Sequence, residues 1–338
     1  HNFVAGEAVE KQLIVINNSR ETVTGECEWS LALPEAVGGR KTITLPTGEQ
    51  ERIPITFELP GDLLPGRSTL ASVVSFGNGD TQRDSFAIDI LPRGDTVPKT
   101  GRIAVCDPEG ETSAMLRSLG TAFEVVDTDS DLAGFDVLLI GKGSLSPTSH
   151  APDVAGVREG LKVVIFEQTG AVREKRFGFR TAEYGLRHVF GRVPDHPVLS
   201  GITNEQLRNR RGEGTILPGR LAYELRPRYG PTVEWCGLPQ TRAWRVGNRG
   251  NVASALIEKP ARGDFLPVLD GGYALQYSSL MEYREGQGMI LFCQTDVTGR
   301  TETDPAAEAL ARNILRYVSS WRPGRRRTVV YAGSEAGA

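Results

Sequence analysis

The sequence is poor in the residues that usually announce chemistry, with four cysteines, four histidines and three methionines in 338 residues. Cys27, Cys106, Cys236 and Cys293 lie far apart, with no CxxC or Cys/His spacing, which argues against a zinc site and demands no oxidising compartment. Cys106 and Cys293 sit inside apolar runs, where thiols act as small buried hydrophobes. His150, His188 and His196 are scattered without i, i+4 spacing, so neither a metal nor a cofactor is expected. No apolar run approaches the ~20 residues that a membrane-spanning helix needs. A net charge of -3 gives no field to gather nucleic acid or a membrane surface, and neither is expected as a partner. The basic run from Arg322 to Arg327 is local and reads as a solvated linker. The sequence opens His-Asn with neither an initiator Met nor a signal peptide, which suggests a processed product or an excised fragment.

What is present divides into two grammars. From Val9 to Leu91 the apolar residues alternate with period two between turn clusters, as in EKQLIVINN, ERIPITFELP and DSFAIDIL. Six or seven short strands without a helical period predict an immunoglobulin-like β-sandwich over residues 1–92. The run Phe76-Gly77-Asn78-Gly79-Asp80 is a hairpin signal, since Asn and Gly both tolerate positive φ. Trp29 alternates into a strand and is expected to pack in the core. Residues 93–101, rich in Pro and polar residues, read as a solvated linker, and the Arg93-Gly94-Asp95 tripeptide in it carries no adhesive meaning.

After Gly101 strands alternate with helices. RIAVCD, FEVVD, FDVLLIG, LKVVIFEQ and finally QGMILFCQTD read as strands, with helices over Glu111–Leu119, VAGVREG and Pro305–Val318. Unbroken runs such as VLLI and VVIF suit strands covered on both faces, so residues 102–320 are expected to form a doubly wound, flavodoxin-like α/β domain with a mostly parallel sheet. The stretch from Phe177 to Pro267 is less regular. Asp304 before Pro305 is a helix start, because Asp accepts free amides and Pro fits the first turn. Residues 321–338 read as a linker and the start of a further, truncated domain, since RTVVYAGSEAGA resembles the opening of RIAVCDPEGETSAML.

In an open α/β sheet ligands bind beyond the carboxyl ends of the strands. That edge should gather Asp107 and Glu109, the Gly141-Lys142-Gly143 turn, Glu167 and Gln168, and Asp296. A hydrolase reading pairs Glu167 with Asp107 or Asp296 as acid and base; the structural alternative has these carboxylates capping helices or pairing with Lys142 or Arg300. Gly141-Lys142-Gly143-Ser144 lacks the spacing of a phosphate loop, and His196, just before Pro197, is expected to make a structural hydrogen bond in a turn. Trp235, Trp244 and Tyr273 lie among Asp, Gln and Arg residues, a composition that suits a sugar site, an oligomer interface or the core.

The succession VLLIGKGSL, VVIFEQTG and GQGMILFCQTDVTGRTETDPAAEALARNILRYV resembles the class I glutamine-amidotransferase-like fold. It is similar in particular to the version embedded in large bacterial glycoside hydrolases of the family 2 and β-galactosidase kind, and to trehalose-utilisation-type domains. Asp195-His196-Pro197-Val198-Leu199-Ser200-Gly201 resembles the HP-hydrophobic-x-G segment of those domains, and the sandwich is similar to the immunoglobulin-like modules flanking family 2 barrels. Catalytic amidotransferases carry a Cys on the turn after the central strand and His-Pro-Glu after a later one; this sequence has Glu167-Gln168-Thr169 and Gln294-Thr295-Asp296 there. The resemblance therefore implies an accessory region without catalytic residues, secreted or extracytoplasmic. It would partner the catalytic domain of the same parent chain, a carbohydrate or a second copy of itself. A catalytic (β/α)₈ barrel needs about 250 residues, for which this sequence has no room.

Overall fold

A computed structural model describes residues 1–97, 101–214, 223–226, 230–235, 238–240 and 249–324, with backbone only for residue 184 and for the pieces between 223 and 240. Seven strands come first: β1 (Asn2–Val4), β2 (Ala8–Ile16), β3 (Val23–Leu31), β4 (Val37–Leu45), β5 (Gln50–Glu58), β6 (Gly66–Phe76) and β7 (Thr81–Leu91). They form a sheet of order β1-β7-β6-β3-β4 and an antiparallel pair, β2 with β5. The alternation read in the sequence is realised in β5, whose Ile53, Ile55 and Phe57 point inward between exposed neighbours. Ile55 and Phe57 pack with Val9, Leu31, Leu70, Ile88 and Ile90, and half-buried Trp29 stacks on Phe57 with ring centroids 6.5 Å apart. In the β6–β7 hairpin Gly79 alone takes positive φ, at 91°. Asn78 instead accepts the Asp80 amide at 3.0 Å. β1, which no sequence signal marked, joins β7 in parallel.

The segment after β7 is less solvated than its composition suggests. Val97 is buried, Arg93 donates to the Ala5 carbonyl at 2.9 Å, and Arg312 and Arg316 both donate to the Asp95 carbonyl.

The next strands are β8 (Ile103–Cys106), β9 (Glu124–Val125), β10 (Val137–Ile140) and β11 (Lys162–Ile165), with helices α1 (Glu111–Ser118) and α2 (Gly170–Phe177) after β8 and β11. Then come β12 (Thr181–Leu186), β13 (Val189–Gly191), β14 (Arg210–Glu213), β15 (Tyr223–Arg226), β16 (Gly230–Trp235), β17 (Leu238–Gln240) and β18 (Arg249–Gly250). β19 (Ala253–Glu258), β20 (Phe265–Gly271), β21 (Tyr277–Glu285), β22 (Gly288–Cys293) and helix α3 (Pro305–Ser320) complete the described chain. β9-β8-β10-β11-β22 pair in parallel in that order. β21 adds to β22 antiparallel, and β19, β20, β12 and β13 extend the sheet to ten strands. Apolar faces on both sides explain the unbroken strand runs. Met115 and Leu116 of α1 and Leu310, Ile314 and Val318 of α3 cover Val105, Leu139, Val164 and Leu291. Val157 and Val172 cover Ala104, Leu138, Val163 and Ile165 opposite.

The chain is mostly strand, with three α-helices among the described residues. The number equals the three helices read from the sequence, but the set differs, because α2 carried no mark in the sequence and one expected helix did not form. VAGVREG forms only a 3₁₀ turn over Ala155–Glu159, no helix joins β9 to β10, and the irregular region supplies antiparallel strands instead. Asp304 caps α3, its Oδ1 accepting the Ala306 amide at 2.9 Å and the Ala307 amide at 3.2 Å. Asp304 also ties the two parts together: it accepts from Asn2 Nδ2 at 3.4 Å and from the Arg211 amide at 2.8 Å, while Arg211 reaches Glu7 at 2.7 Å. No helix among the described residues is long and apolar enough to cross a membrane. Residues from Arg325 onward, where a further domain was expected, lie outside the described residues.

Candidate functional site

The turn from β11 into α2 is relaxed. Thr169 caps α2 by accepting the Val172 amide at 3.4 Å. The only non-glycine residues with positive φ among those described are Asn209, Ala274 and Leu275, so Glu167 and Gln168 lack the strained backbone of a nucleophile elbow.

Glu167 is 2% exposed, and donors meet both of its carboxylate oxygens. Oε1 accepts the amides of Val297 at 2.6 Å and Thr298 at 2.8 Å, and Oε2 accepts the Thr298 hydroxyl at 3.0 Å. Burial, then the charge of Asp296, pushes its carboxyl up to about 7 against the pull of these amides. Gln168 is fully buried and spends its side chain on the backbone, donating to the Gly141 carbonyl at 2.6 Å and accepting the Leu145 amide at 3.0 Å. Its own amide donates to Gln294 Oε1 at 2.9 Å, and Gln294 Nε2 donates back to the Gln168 carbonyl at 2.7 Å. The two glutamines thus bolt the ends of β11 and β22 together where a catalytic fold would keep a nucleophile and a base open to substrate.

The other carboxylates serve the frame. Asp107 accepts the Ser113 amide at 2.6 Å, starting α1 in place of Gly110, which offers no side chain. A Cβ on Gly141 would lie 2.3 Å from Asp107 Oδ1, so glycine is required beside it. Asp296 is 4% exposed and receives Arg300 Nη1 at 2.7 Å, while its carbonyl accepts from Arg210. Lys142 pairs with Glu111 at 2.5 Å and donates its amide to Thr112 Oγ1 at 2.9 Å. Glu109 is exposed in the β8–α1 turn. The sheet edge thus gathers the expected residues, Glu167 and Asp296 closely enough to influence each other, but apart from exposed Glu109 it engages their side chains internally. A cavity of about 540 Å³ opens instead at the opposite, amino-terminal edge, lined by residues such as Asp131, Phe135 and Asp153.

Of the aromatic candidates, Tyr273 is 94% exposed on a turn whose Ala274 and Leu275 take φ of 58° and 53°. The Trp235 side chain and Trp244 lie outside the described residues. Among the described residues no group of three His, Cys, Asp or Glu side chains is placed to hold a metal.

Two buried polar centres escaped sequence reasoning. Arg173 and Arg210 are at most 1% exposed, in or just before a stretch that reads as merely Arg-rich. The DHP segment delivers His196, which accepts the Val198 amide through Nδ1 and sets Nε2 3.5 Å from Glu282. Tyr317 and Arg284 also donate to that carboxylate. His196 before a Pro was the only sequence hint of this cluster.

No protein-family model matches the chain, and no curated protein matches it. Among solved structures it is similar to an exo-β-1,4-mannosidase of an Opitutaceae bacterium, at 10% identity over 67% of this chain and 37% of that one, TM-score 0.32. It is also similar to a Bacteroides uniformis β-glucuronidase, at 11% identity over 48% and 22%, TM-score 0.25. A third similarity is to the sporulation control protein Spo0M of Bacillus subtilis, at 17% identity over 26% and 44%, TM-score 0.20. The chain spans less than half the length of each of these proteins.

Proposed function

We propose that this chain is a non-catalytic accessory region of a large glycoside hydrolase of the family 2 or β-galactosidase kind. In this reading an immunoglobulin-like sandwich over 1–92 and a flavodoxin-like, amidotransferase-like unit over 102–320 brace the catalytic domain of the parent chain, mediate assembly or help to bind a glycan. The order of the five parallel strands, with the second strand in sequence outermost beside the first, supports the flavodoxin-like assignment. The observation that carries the accessory role is the closed edge: Glu167, Gln168 and Gln294 are buried and bound to each other's strands. A glycosidase pair needs two carboxyl groups reachable from both sides of a sugar bond, and Glu167 with Asp107 or Asp296 does not meet that need in this conformation. A secreted location follows from the resemblance alone.

One observation favours a second role within this reading. Tyr273, fully presented on a strained turn, is suited to stack on a sugar face, as a carbohydrate-binding module would require. The test is turnover by the purified chain of chromogenic glycosides, esters and glutamine, run beside titration with oligosaccharides. The accessory role predicts no turnover; turnover of any member of the panel defeats it. Saturable sugar binding that Tyr273→Ala abolishes adds the glycan-binding role, and binding unaffected by that change removes Tyr273 from it.

A further inference from the structure

A second polar centre lies where the sandwich meets the β14–β18 pair and the turn between β12 and β13. A cavity of about 530 Å³ there is lined by Lys11, Arg187, Arg210, Arg211 and Arg249 against only Glu10 and Glu213. Two of these cations are already answered, Arg211 by Glu7 at 2.7 Å and Arg249 by Glu213 at 3.5 Å. Three are not answered by a carboxylate at ion-pair distance among the described residues. Lys11 Nζ lies 2.7 Å from the His1 ring nitrogen and over the Phe3 and Phe86 rings. Arg187 is exposed, and Gly250, at φ 80°, makes room for it: a Cβ there would lie 2.9 Å from Arg187 Nε. Arg210 is 1% exposed, donates Nη1 to the Asp296 carbonyl, and keeps Nε and Nη2 without a hydrogen-bond partner among the described residues.

A buried guanidinium with unused donors is costly, and an oxyanion brought near it offsets that cost. The local excess of positive charge is also felt by Lys11, whose ammonium is pushed down to about 8 by burial and by Arg211. The planar fork of Arg187 matches a carboxylate or a phosphate group, and the cavity has the size of a small-ligand site. We propose that this cleft binds the oxyanion head of a small ligand, gripped by Arg187 and Lys11 over the charge of Arg210. The gripping residues, Arg187 and Lys11, belong neither to the closed edge at Glu167 nor to the Tyr273 turn, so the proposal stands or falls separately from the accessory role.

Calorimetric titration of the full chain at low ionic strength, with inorganic phosphate and with D-galacturonate, tests this, with glucose as the neutral control. Expected is saturable binding of one or both anions, none of glucose, and a loss of about tenfold in affinity in Arg187→Ala and in Lys11→Met. Tighter phosphate binding assigns a tetrahedral head and tighter galacturonate binding a planar one. Both substitutions lie at exposed or half-buried positions, so retained thermal melting separates lost binding from lost folding. Absence of saturation with both anions, equal binding of glucose, or wild-type affinity in both folded variants overturns the proposal.

Discussion

Glu167 and Thr298 meet across the end of the parallel sheet through two hydrogen bonds, 2.8 Å from the Thr298 amide and 3.0 Å from its hydroxyl. The Val297 amide adds a third at 2.6 Å. A side chain on the turn after β11 thus organises the loop after β22.

Removing that carboxylate strands two buried amides, each at a cost of about 1–3 kcal/mol. Glu167→Ala is expected to lower the unfolding free energy by roughly 3 kcal/mol in urea denaturation. An unchanged midpoint would show that the loop holds itself.

The same group sets a pH dependence. Burial and Asp296 raise its pKa from 4.5 to about 7 in the folded chain. A carboxyl raised on folding contributes stability that is fully present below its ordinary value and is lost as pH rises through the folded one. Stability is therefore expected to decline across the window from 4.5 to about 7, and Glu167→Gln to flatten that decline. Denaturation midpoints of both proteins across the window decide it; an equal slope in the variant would assign the decline to other groups.

Glu282 predicts the opposite sign. Burial alone would raise its carboxyl, but His196, Tyr317 and Arg284 outweigh burial and hold it below the usual range. A depressed carboxyl contributes stability above its unfolded value that is lost as pH falls through the folded one. Tyr317→Phe, which removes one donor to a fully buried carboxylate, is expected to cost about 1–3 kcal/mol near neutral pH and less in acid. Melting curves at both pH extremes check this, and a pH-independent cost would mean that only packing was lost.

In the sandwich, a Cβ on Gly39 would lie 2.9 Å from the Trp29 ring, whereas one on Gly61 would meet nothing within 4 Å. Gly39→Ala is expected to destabilise by about 1–3 kcal/mol through displacement of Trp29, and Gly61→Ala to change stability little. Equal melting temperatures for the two variants would mean that the ring shifts without cost.

The strands of both units were legible because their burial has a period: two in β5, unbroken in β10 and β11. The Asp304 cap was legible because its chemistry is local. The antiparallel strands from β12 to β21 were not, since Arg and Gly residues there interrupt any period and their pairing depends on partners far along the chain. The candidate carboxylates were placed on the correct edge, but whether an edge is open or sealed depends on contacts such as Gln168 with Gln294, separated by 126 residues. The Arg210 centre was invisible for the same reason, and the Glu282 centre showed only His196 before a Pro, each being assembled from several strands or helices.

The central claim is that Glu167 serves the fold and not a reaction. The most direct measurement is turnover of the glycoside, ester and glutamine panel by the wild-type chain and by Glu167→Gln, with thermal melting of both on the same samples. The account predicts no turnover by either protein and a melting temperature that moves with the substitution in a pH-dependent way. Turnover by the wild type that vanishes in Glu167→Gln while melting stays unchanged would contradict it and make the sealed edge an active site.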